Sequence, residues 1–312
     1  MSKPLRTAVV GVGHLGKFHA EKYAAHPDCE LVAVVDRDAE TARRIADQHG
    51  AEAVTDYKEI IDRVDAVSLV VPTSLHYEIA RELLAADIHC LIEKPITEAV
   101  EQARELIELA RQHQRVLQVG HIERFNAVMM DIDEILDRPR FIESTRLAPF
   151  TPRATDVSVI LDLMIHDIDI ILDLIDSPIR DIRASGISVL SDEIDIANAR
   201  LEFEDGCVAN VTASRISRKR ERRLRIFQKD TYISADFQDR ILAVNRKGEE
   251  TDEHGFPGIT HQERQYDNSD ALNLEILDFI EAIRTGRRPK VTGEDGKRAL
   301  ETATRITQLI QG

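Results

Sequence analysis

A glycine-rich turn set between an apolar run and a helix pattern constrains this chain more than any other feature. Gly11-Val12-Gly13-His14-Leu15-Gly16 follows Ala8-Val9-Val10 and leads into Lys17-Phe18-His19-Ala20-Glu21-Lys22-Tyr23. The next apolar run, Leu31-Val32-Ala33-Val34-Val35, closes on Asp36, twenty residues beyond Gly16. A bare G-x-G-x-x-G says little. With a strand before it, a helix after it and an acid about 20 residues on, it describes a dinucleotide site. Gly11 permits the tight turn, Gly13 lets backbone approach a pyrophosphate, and Gly16 lets helix and strand pack closely. The pyrophosphate then rests on free N–H groups at the positive end of the helix dipole, beside His14 and Leu15. The Asp36 carboxylate suits ribose hydroxyls and repels a 2′-phosphate, which favours NAD over NADP. Arg37 pulls the other way, since an arginine there can pair with that phosphate.

The 312 residues suffice for two domains with their own cores. A formal charge of −15 argues against nucleic acid or an anionic membrane as partner, since both call for a basic face. No stretch approaches the roughly 20 apolar residues of a membrane span. Met1-Ser2-Lys3-Pro4 runs straight into the first strand, with no room for a signal peptide. Cys29, Cys90 and Cys207 are odd in number, far apart and without metal-ligand spacing. They read as reduced thiols of a cytoplasmic protein.

The first 120 residues alternate strand and helix. Leu5–Val10, Leu31–Val35, Ala66–Val71, His89–Ile92 and Val116–Val119 are short branched runs, as in parallel strands buried on both faces. Asp38 is expected to cap a helix over Ala39–His49 that Gly50 ends. Ser74 or Thr73 would cap one to about Ala86, and Thr97 one to about Gln112. The class is α/β: a doubly wound parallel sheet over 1–120 that binds the dinucleotide.

Residues 121–312 read as a second, α+β domain with a largely antiparallel sheet, for substrate binding and oligomerisation. Helices are expected over Ala127–Leu136 and Val157–Ile175. Strands follow over Ile182–Leu190, Ile194–Phe203, Cys207–Ile216, Leu224–Phe227, Tyr232–Asp236 and Ile241–Asn245, with a hairpin turn at Glu204-Asp205-Gly206. Gly248 to Asn268 reads as a polar surface loop. Helices from about Ser269 to Arg284 and Gly293 to Ile310 close the chain, the last with a capping box at Thr292–Asp295 and free to pack back on the first domain.

Two further motifs carry chemistry. Glu93-Lys94-Pro95 ends the strand His89–Ile92, on the side where open α/β sheets bind their ligands. Lys94 is therefore either a group facing nicotinamide and substrate or a solvated strand-end lysine. Cis geometry is open to the bond before Pro95. Asp162-Leu163-Met164-Ile165-His166 lies in the most apolar helix pattern of the second domain, and i,i+4 spacing puts its acid and imidazole on one face. A carboxylate that orients an imidazole makes a general base. The alternatives are a polar stripe of Asp162, His166, Asp169 and Asp173 facing water, and a metal site whose third ligand could only be His121. No metal is expected.

The glycine fingerprint, Glu-Lys-Pro and Asp-x-x-x-His, in this order and over nearly the whole chain, resemble the glucose-fructose oxidoreductase/inositol dehydrogenase/MocA family. The resemblance implies a sugar dehydrogenase using NAD(P), a catalytic set falling on Lys94, Asp162 and His166, and homodimers or homotetramers built through the second sheet. Val119–Asn126 and Leu161–Asp169 further resemble the branch that oxidises the C3 hydroxyl of UDP-N-acetylglucosamine, whose ketone a partner aminotransferase converts towards lipid A. Ala127 departs from that branch, which has proline there. On this reading His166 takes the hydroxyl proton, Lys94 supports the oxygen and Asp162 orients the imidazole. Pro72, Thr73 and His76 line the nicotinamide half, with Glu93 at a ribose, although His76 reads equally as an ordinary helix residue. Arg124, Asn126 and Arg153 contact sugar or diphosphate. Seven of the eleven residues from Arg215 to Arg225 are basic; they fit a diphosphate site or, more commonly, a solvated sheet edge. A free sugar or inositol dehydrogenase, and a nicotinamide-binding sensor without turnover, are the competing functions.

Overall fold

The computed structural model describes residues 3–151, 157–251, 254, 256–267 and 270–312. They form two compact units, Met1–Arg124 with Asp270–Leu300, and Phe125–Ser269 with Glu301–Gly312. In the first unit β1 (Leu5–Val10), β2 (Cys29–Val35), β3 (Glu52–Val54), β4 (Ala66–Leu69), β5 (His89–Glu93) and β6 (Leu117–Gly120) make one sheet. Its order is β3-β2-β1-β4-β5-β6 and every pair is parallel, so the order reverses between β1 and β4. This is the doubly wound dinucleotide-binding arrangement. The connecting helices are α1 (Gly16–Ala25), α2 (Ala39–His49), α3 (His76–Ala85) and α4 (Val100–Gln112). Asp38 caps α2 by accepting from the Glu40 N–H at 3.3 Å, and Gly50 ends it at φ 68°. Thr97 does not cap α4. Its hydroxyl donates to the Ala99 carbonyl at 2.8 Å, and the Gln102 side chain instead takes the Ala99 N–H at 3.1 Å. The short β3 was not foreseen, because Glu52-Ala53-Val54 offers one buried residue and no apolar run.

The second unit opens with α5 (Ala127–Ile135) and β7 (Phe141–Leu147). A π-helical turn over Ile160–Met164 then runs into α6 (Ile165–Leu174). The strands β8 (Ile179–Ile187), β9 (Ile196–Phe203), β10 (Val208–Ser214), β11 (Glu221–Gln228), β12 (Thr231–Asp236), β13 (Ile241–Thr251) and β14 (Pro257–Gln265) follow. The eight-stranded sheet has the order β14-β13-β12-β11-β7-β10-β9-β8. Only β7 and β10 pair in parallel. Burial alternates along β7, β9 and β10, and α6 packs on β7 and β10. Within the expected surface loop over Gly248–Asn268, 248–251 is the end of β13 and Pro257–Gln265 is β14. Every residue of β14 is exposed, so its sequence carries no apolar alternation to betray the strand.

The chain returns to the first unit through α7 (Ala271–Thr285). Asp270 caps it by accepting from the Asn273 N–H at 3.0 Å, and Gly286 ends it at φ 72°. Ile276, Phe279 and Ile280 of α7 share one buried cluster with Val9, Tyr23, Val34 and Leu91. Residues 270–300 thus belong to the first unit, whose first segment runs to Arg124 where the sequence suggested Gly120. The last helix, α8 (Gly293–Gln311), starts with the expected box: the Asp295 carboxylate accepts from the Thr292 N–H at 2.8 Å and from its hydroxyl at 2.6 Å. Among the described residues no helix is long and apolar enough to cross a membrane.

Candidate active site

In the first unit the three glycines of the fingerprint divide into two crowded positions and one open one. A Cβ on Gly11, which sits at φ 87°, would stand 2.4 Å from the Val70 carbonyl oxygen. One on Gly16 would stand 1.8 Å from the Gly11 oxygen. At Gly13 a Cβ would meet nothing within 4 Å. Two glycines therefore let the loop fold against β4, and the third leaves its outer face clear, as a pyrophosphate requires. His14 and Leu15 are exposed beside Gly13 at the start of α1. The half-buried Asp36 is fixed at the end of β2, taking the Val12 N–H at 3.0 Å on one oxygen and the Asp38 N–H at 3.0 Å on the other. Arg37 is exposed next to it. Open backbone at Gly13 and a rigid carboxylate at a strand end fit a dinucleotide with free ribose hydroxyls.

Lys94 is half-buried at the carboxyl end of β5, and the Lys94–Pro95 bond is cis. The Glu93 carboxylate takes the Lys94 N–H at 3.3 Å and faces His19 Nε2 at 3.4 Å. Burial pushes the Glu93 carboxyl up, but His19, Lys94 and His76 outweigh it and hold it below the ordinary carboxylate value. Pro72 is exposed and Thr73 half-buried, both in the turn before α3. His76 is buried, and its ring nitrogens stand 2.9 Å from the Pro95 carbonyl and 2.9 Å from the Val71 carbonyl. It ties the segment after Lys94 to the end of β4. Burial holds its pKa down, against the pull of those two carbonyls. A neutral imidazole carries one N–H, so His76 donates to one of the two carbonyls and packs against the other, an arrangement that braces the segment after Lys94.

In the second unit Asp162 and His166 are half-buried, one in the π turn and the other at the start of α6. The wide turn replaces the regular helix expected from Val157; such turns recur at functional sites. The polar stripe does not face water: Asp169 is 2% exposed, and Asp173 alone of the lower stripe is exposed. Asp167, next to His166, was missed in the sequence. It is buried and accepts from the Ser144 hydroxyl at 2.6 Å and from Arg146 Nε at 2.5 Å, fastening α6 to β7. The signal was an acid pointing inward from an otherwise apolar helix. Such a buried pair fixes orientation more than it adds stability.

The other expected contacts fall unevenly. Arg124 is buried, and its guanidinium donates to the Lys290 carbonyl at 3.4 Å. Asn126 caps α5, accepting from the Val128 N–H at 3.2 Å and donating to the Phe237 carbonyl at 3.5 Å. Arg153 lies outside the described residues. The basic run is tied down: Arg215 is buried on Asp195 at 2.7 Å, Arg223 pairs with Asp236 at 3.4 Å and Arg225 with Glu143 at 3.4 Å. β11, which carries Arg222, Arg223 and Arg225, pairs with both β12 and β7, so this part of the run lies on an inner strand and not at the expected sheet edge, while Arg218, Lys219 and Arg220 before it are exposed. His121 is buried, which pushes its pKa down to about 3, helped by Lys94 and Arg124. Among the described residues, the grouping of three ligand atoms close enough to share an ion is His19, Glu93 and Glu275, without His121.

Residues 5–121 match the model of an oxidoreductase family with an NAD-binding Rossmann fold, and residues 115–233 match the GFO/IDH/MocA C-terminal domain. The chain belongs to the GFO/IDH/MocA family of oxidoreductases. It is 40% identical to UDP-N-acetylglucosamine 3-dehydrogenase of Acidithiobacillus ferrooxidans, over 98% of this chain and 97% of that one. A solved structure of that enzyme superposes with a TM-score of 0.94, covering 99% of this chain and 98% of the other. Myo-inositol 2-dehydrogenase of Thermotoga maritima is 28% identical, over 95% of this chain and 93% of its own length. Scyllo-inositol dehydrogenase from Lactobacillus casei, solved with NAD(H) and scyllo-inositol, shares the fold at a TM-score of 0.81 and 21% identity over 99% of this chain and 97% of that one.

Proposed function

We propose that this oxidoreductase oxidises the C3 hydroxyl of UDP-N-acetylglucosamine to a ketone, with NAD as its cofactor. The observation that carries the reading is the whole-length likeness to an enzyme of that name, together with the intact Lys94, Asp162 and His166. The inositol dehydrogenases are more distant relatives, which puts a free polyol second.

NAD, when bound, supplies the hydride acceptor; the chain's own residues do the rest. His166 removes the hydroxyl proton as general base. Asp162 sets the imidazole tautomer and steadies the imidazolium. Lys94 donates a hydrogen bond to the oxygen as it gains alkoxide character, and its charge lowers the cost of that state. Gly11, Gly13, His14, Leu15 and Gly16 cradle the pyrophosphate, while Asp36 and Arg37 meet the adenosine ribose. Pro72, Thr73 and Glu93 complete the cofactor side, with His76 as their support. Arg153 contacts the diphosphate, and Arg124 and Asn126 are the further contacts to sugar or diphosphate. A positioned base is worth about 10²–10⁴ in rate, so His166→Ala should lose that much turnover.

The ketone product suits amination, so an aminotransferase is the proposed metabolic partner. Exposed apolar residues on β14 and after β8, Ile259 at 76% and Leu190 at 59%, support a homo-oligomer. The acidic charge and three free cysteines support a cytoplasmic location. The test is NAD reduction with UDP-N-acetylglucosamine, other UDP-sugars and free inositols, with an aminotransferase present to draw the ketone off. Reduction with the first alone supports the proposal. Reduction with inositols, unaffected by UDP, replaces it with the polyol reading, and NAD binding without turnover of any sugar leaves a sensor.

A further inference from the structure

Behind Lys94 the first unit buries a second acid that the mechanism does not use. Glu275 lies on α7, on the face that carries Ile276 and Phe279 into the core, and it is 0% exposed. Neither of its carboxyl oxygens has a hydrogen-bond partner, nor does His19 Nδ1. One ligand atom each from His19, Glu93 and Glu275 lie within 4.8 Å of one another. The backbone around them is tied in place, since Gln118 of β6 donates to the Glu275 carbonyl at 2.9 Å. A Cβ on Gly120 would stand 3.0 Å from the Glu93 carboxyl, so that carboxyl has little room to move.

Two carboxylates this close, in an interior with one imidazole, do not both ionise. Their surroundings decide which one keeps the proton. Glu93 has His19, the Lys94 N–H and some solvent, its side chain being 17% exposed. Glu275 faces Glu93 and, from its own helix, Asp278; both oppose its ionisation, and Tyr23 nearby is buried without charge to offer. A buried acid that has lost its proton and has no partner is strongly disfavoured, whereas a neutral one needs only an acceptor.

We propose that Glu275 is a neutral carboxylic acid that positions the Glu93–Lys94 segment by hydrogen bonding toward the Glu93 carboxylate, directly or through one water. Glu93 is the acceptor, held on its other side by the Lys94 N–H, so the proton on Glu275 sets where the strand end, and with it Lys94, is fixed. Glu275 is a positioning residue: it acts on the reacting oxygen only through Glu93 and Lys94. The kinetic part rests on the function proposed above; the protonation itself does not.

The decisive experiment is infrared spectroscopy of the whole protein at neutral pH, without substrate, in wild type, Glu275→Gln and Glu275→Leu. A carbonyl stretch of a protonated carboxylic acid, shifted in heavy water and absent from both variants, is the expected result. Steady-state turnover accompanies it. Glu275→Gln, which still donates, should keep most of kcat, and Glu275→Leu should lose about 10- to 100-fold in kcat with the KM for NAD little changed. Absence of the band from folded wild-type protein overturns the proposal. So does one equivalent of a divalent cation, retained by wild type and lost from Glu275→Gln, because a cation would keep both carboxylates ionised. Equal loss of kcat in the two variants overturns the positioning role. If the substrate reading fails, the band alone still decides the protonation state.

Discussion

Gly13 and Gly16 stand three residues apart in one loop, yet replacing each by alanine should do opposite things. At Gly16 the new Cβ would lie 1.8 Å from the Gly11 carbonyl oxygen, a backbone atom that cannot rotate away. Helix α1 must separate from the loop. Overpacking of that kind costs typically 1–3 kcal/mol, and a backbone clash belongs at the upper end, about 3 kcal/mol. At about 2–4 °C per kcal/mol, Gly16→Ala should lower Tm by about 6–12 °C. At Gly13 the new methyl meets nothing within 4 Å, and the residue is not at positive φ. Gly13→Ala should therefore leave Tm unchanged or raise it, by about 0.4–1 kcal/mol of unfolded-state entropy. The methyl fills the face the pyrophosphate needs. A loss of about 10- to 100-fold in NAD affinity, or about 1.4–2.8 kcal/mol, is expected. Thermal melts without ligand and calorimetric titration with NAD measure the two effects separately. Wild-type NAD affinity in a folded Gly13→Ala protein would refute the assignment of this loop to the pyrophosphate.

Other outcomes follow from the same geometry. Lys94→Ala and His166→Ala should each lower kcat by about 10²–10⁴ while NAD still binds, as read by rapid kinetics and titration; near-normal turnover in both would sink the catalytic set. Asp167→Ala removes the buried carboxylate to which Arg146 and Ser144 donate and should cost about 3–5 kcal/mol, measured by denaturant unfolding, with a smaller effect for the double variant that also replaces Arg146 by Met. His121, with a folded pKa near 3 against 6.5 unfolded, binds its proton less readily when folded. Its contribution is complete above pH 6.5 and is lost as pH falls toward 3, reaching about 3 kcal/mol by pH 4. His89, pushed down to about 4 by burial and by Arg115, acts in the same direction. Unfolding between pH 7 and 4 should show that slope, and His121→Gln should flatten it.

Much of the fold was legible because its signals are local. β1 and α2 have the bounds that the sequence gives them, since a branched run and an Asp38–Gly50 pair of caps state their own ends. The parallel order followed from alternation and chain length. What escaped depends on tertiary context. β14 is exposed along its whole length and has no buried face to leave a pattern. β3 adds three residues to an edge, where sheet neighbours and not composition decide. The membership of α7 in the first unit rests on Ile276 and Phe279 reaching Val9 and Leu91, which no local rule predicts. At the candidate site, Gly11 and Gly16 were readable because the crowded turn admits no Cβ there, and Asp36 and Lys94 because each follows the end of a strand, β2 and β5. His76 was visible as a residue, but its two carbonyl partners were not. Asp167 and Glu275 were hidden for a related reason. Both are acids on apolar helix faces, and only packing shows that one meets Arg146 and the other meets Glu93.

Isotope transfer tests the central claim most directly. UDP-N-acetylglucosamine carrying deuterium at C3, incubated with the protein, NAD and an aminotransferase, should yield NADH bearing one deuterium, and substrate labelled at C4 should yield none. Unlabelled NADH from the C3-labelled sugar, or label arriving from C4, would contradict oxidation at C3.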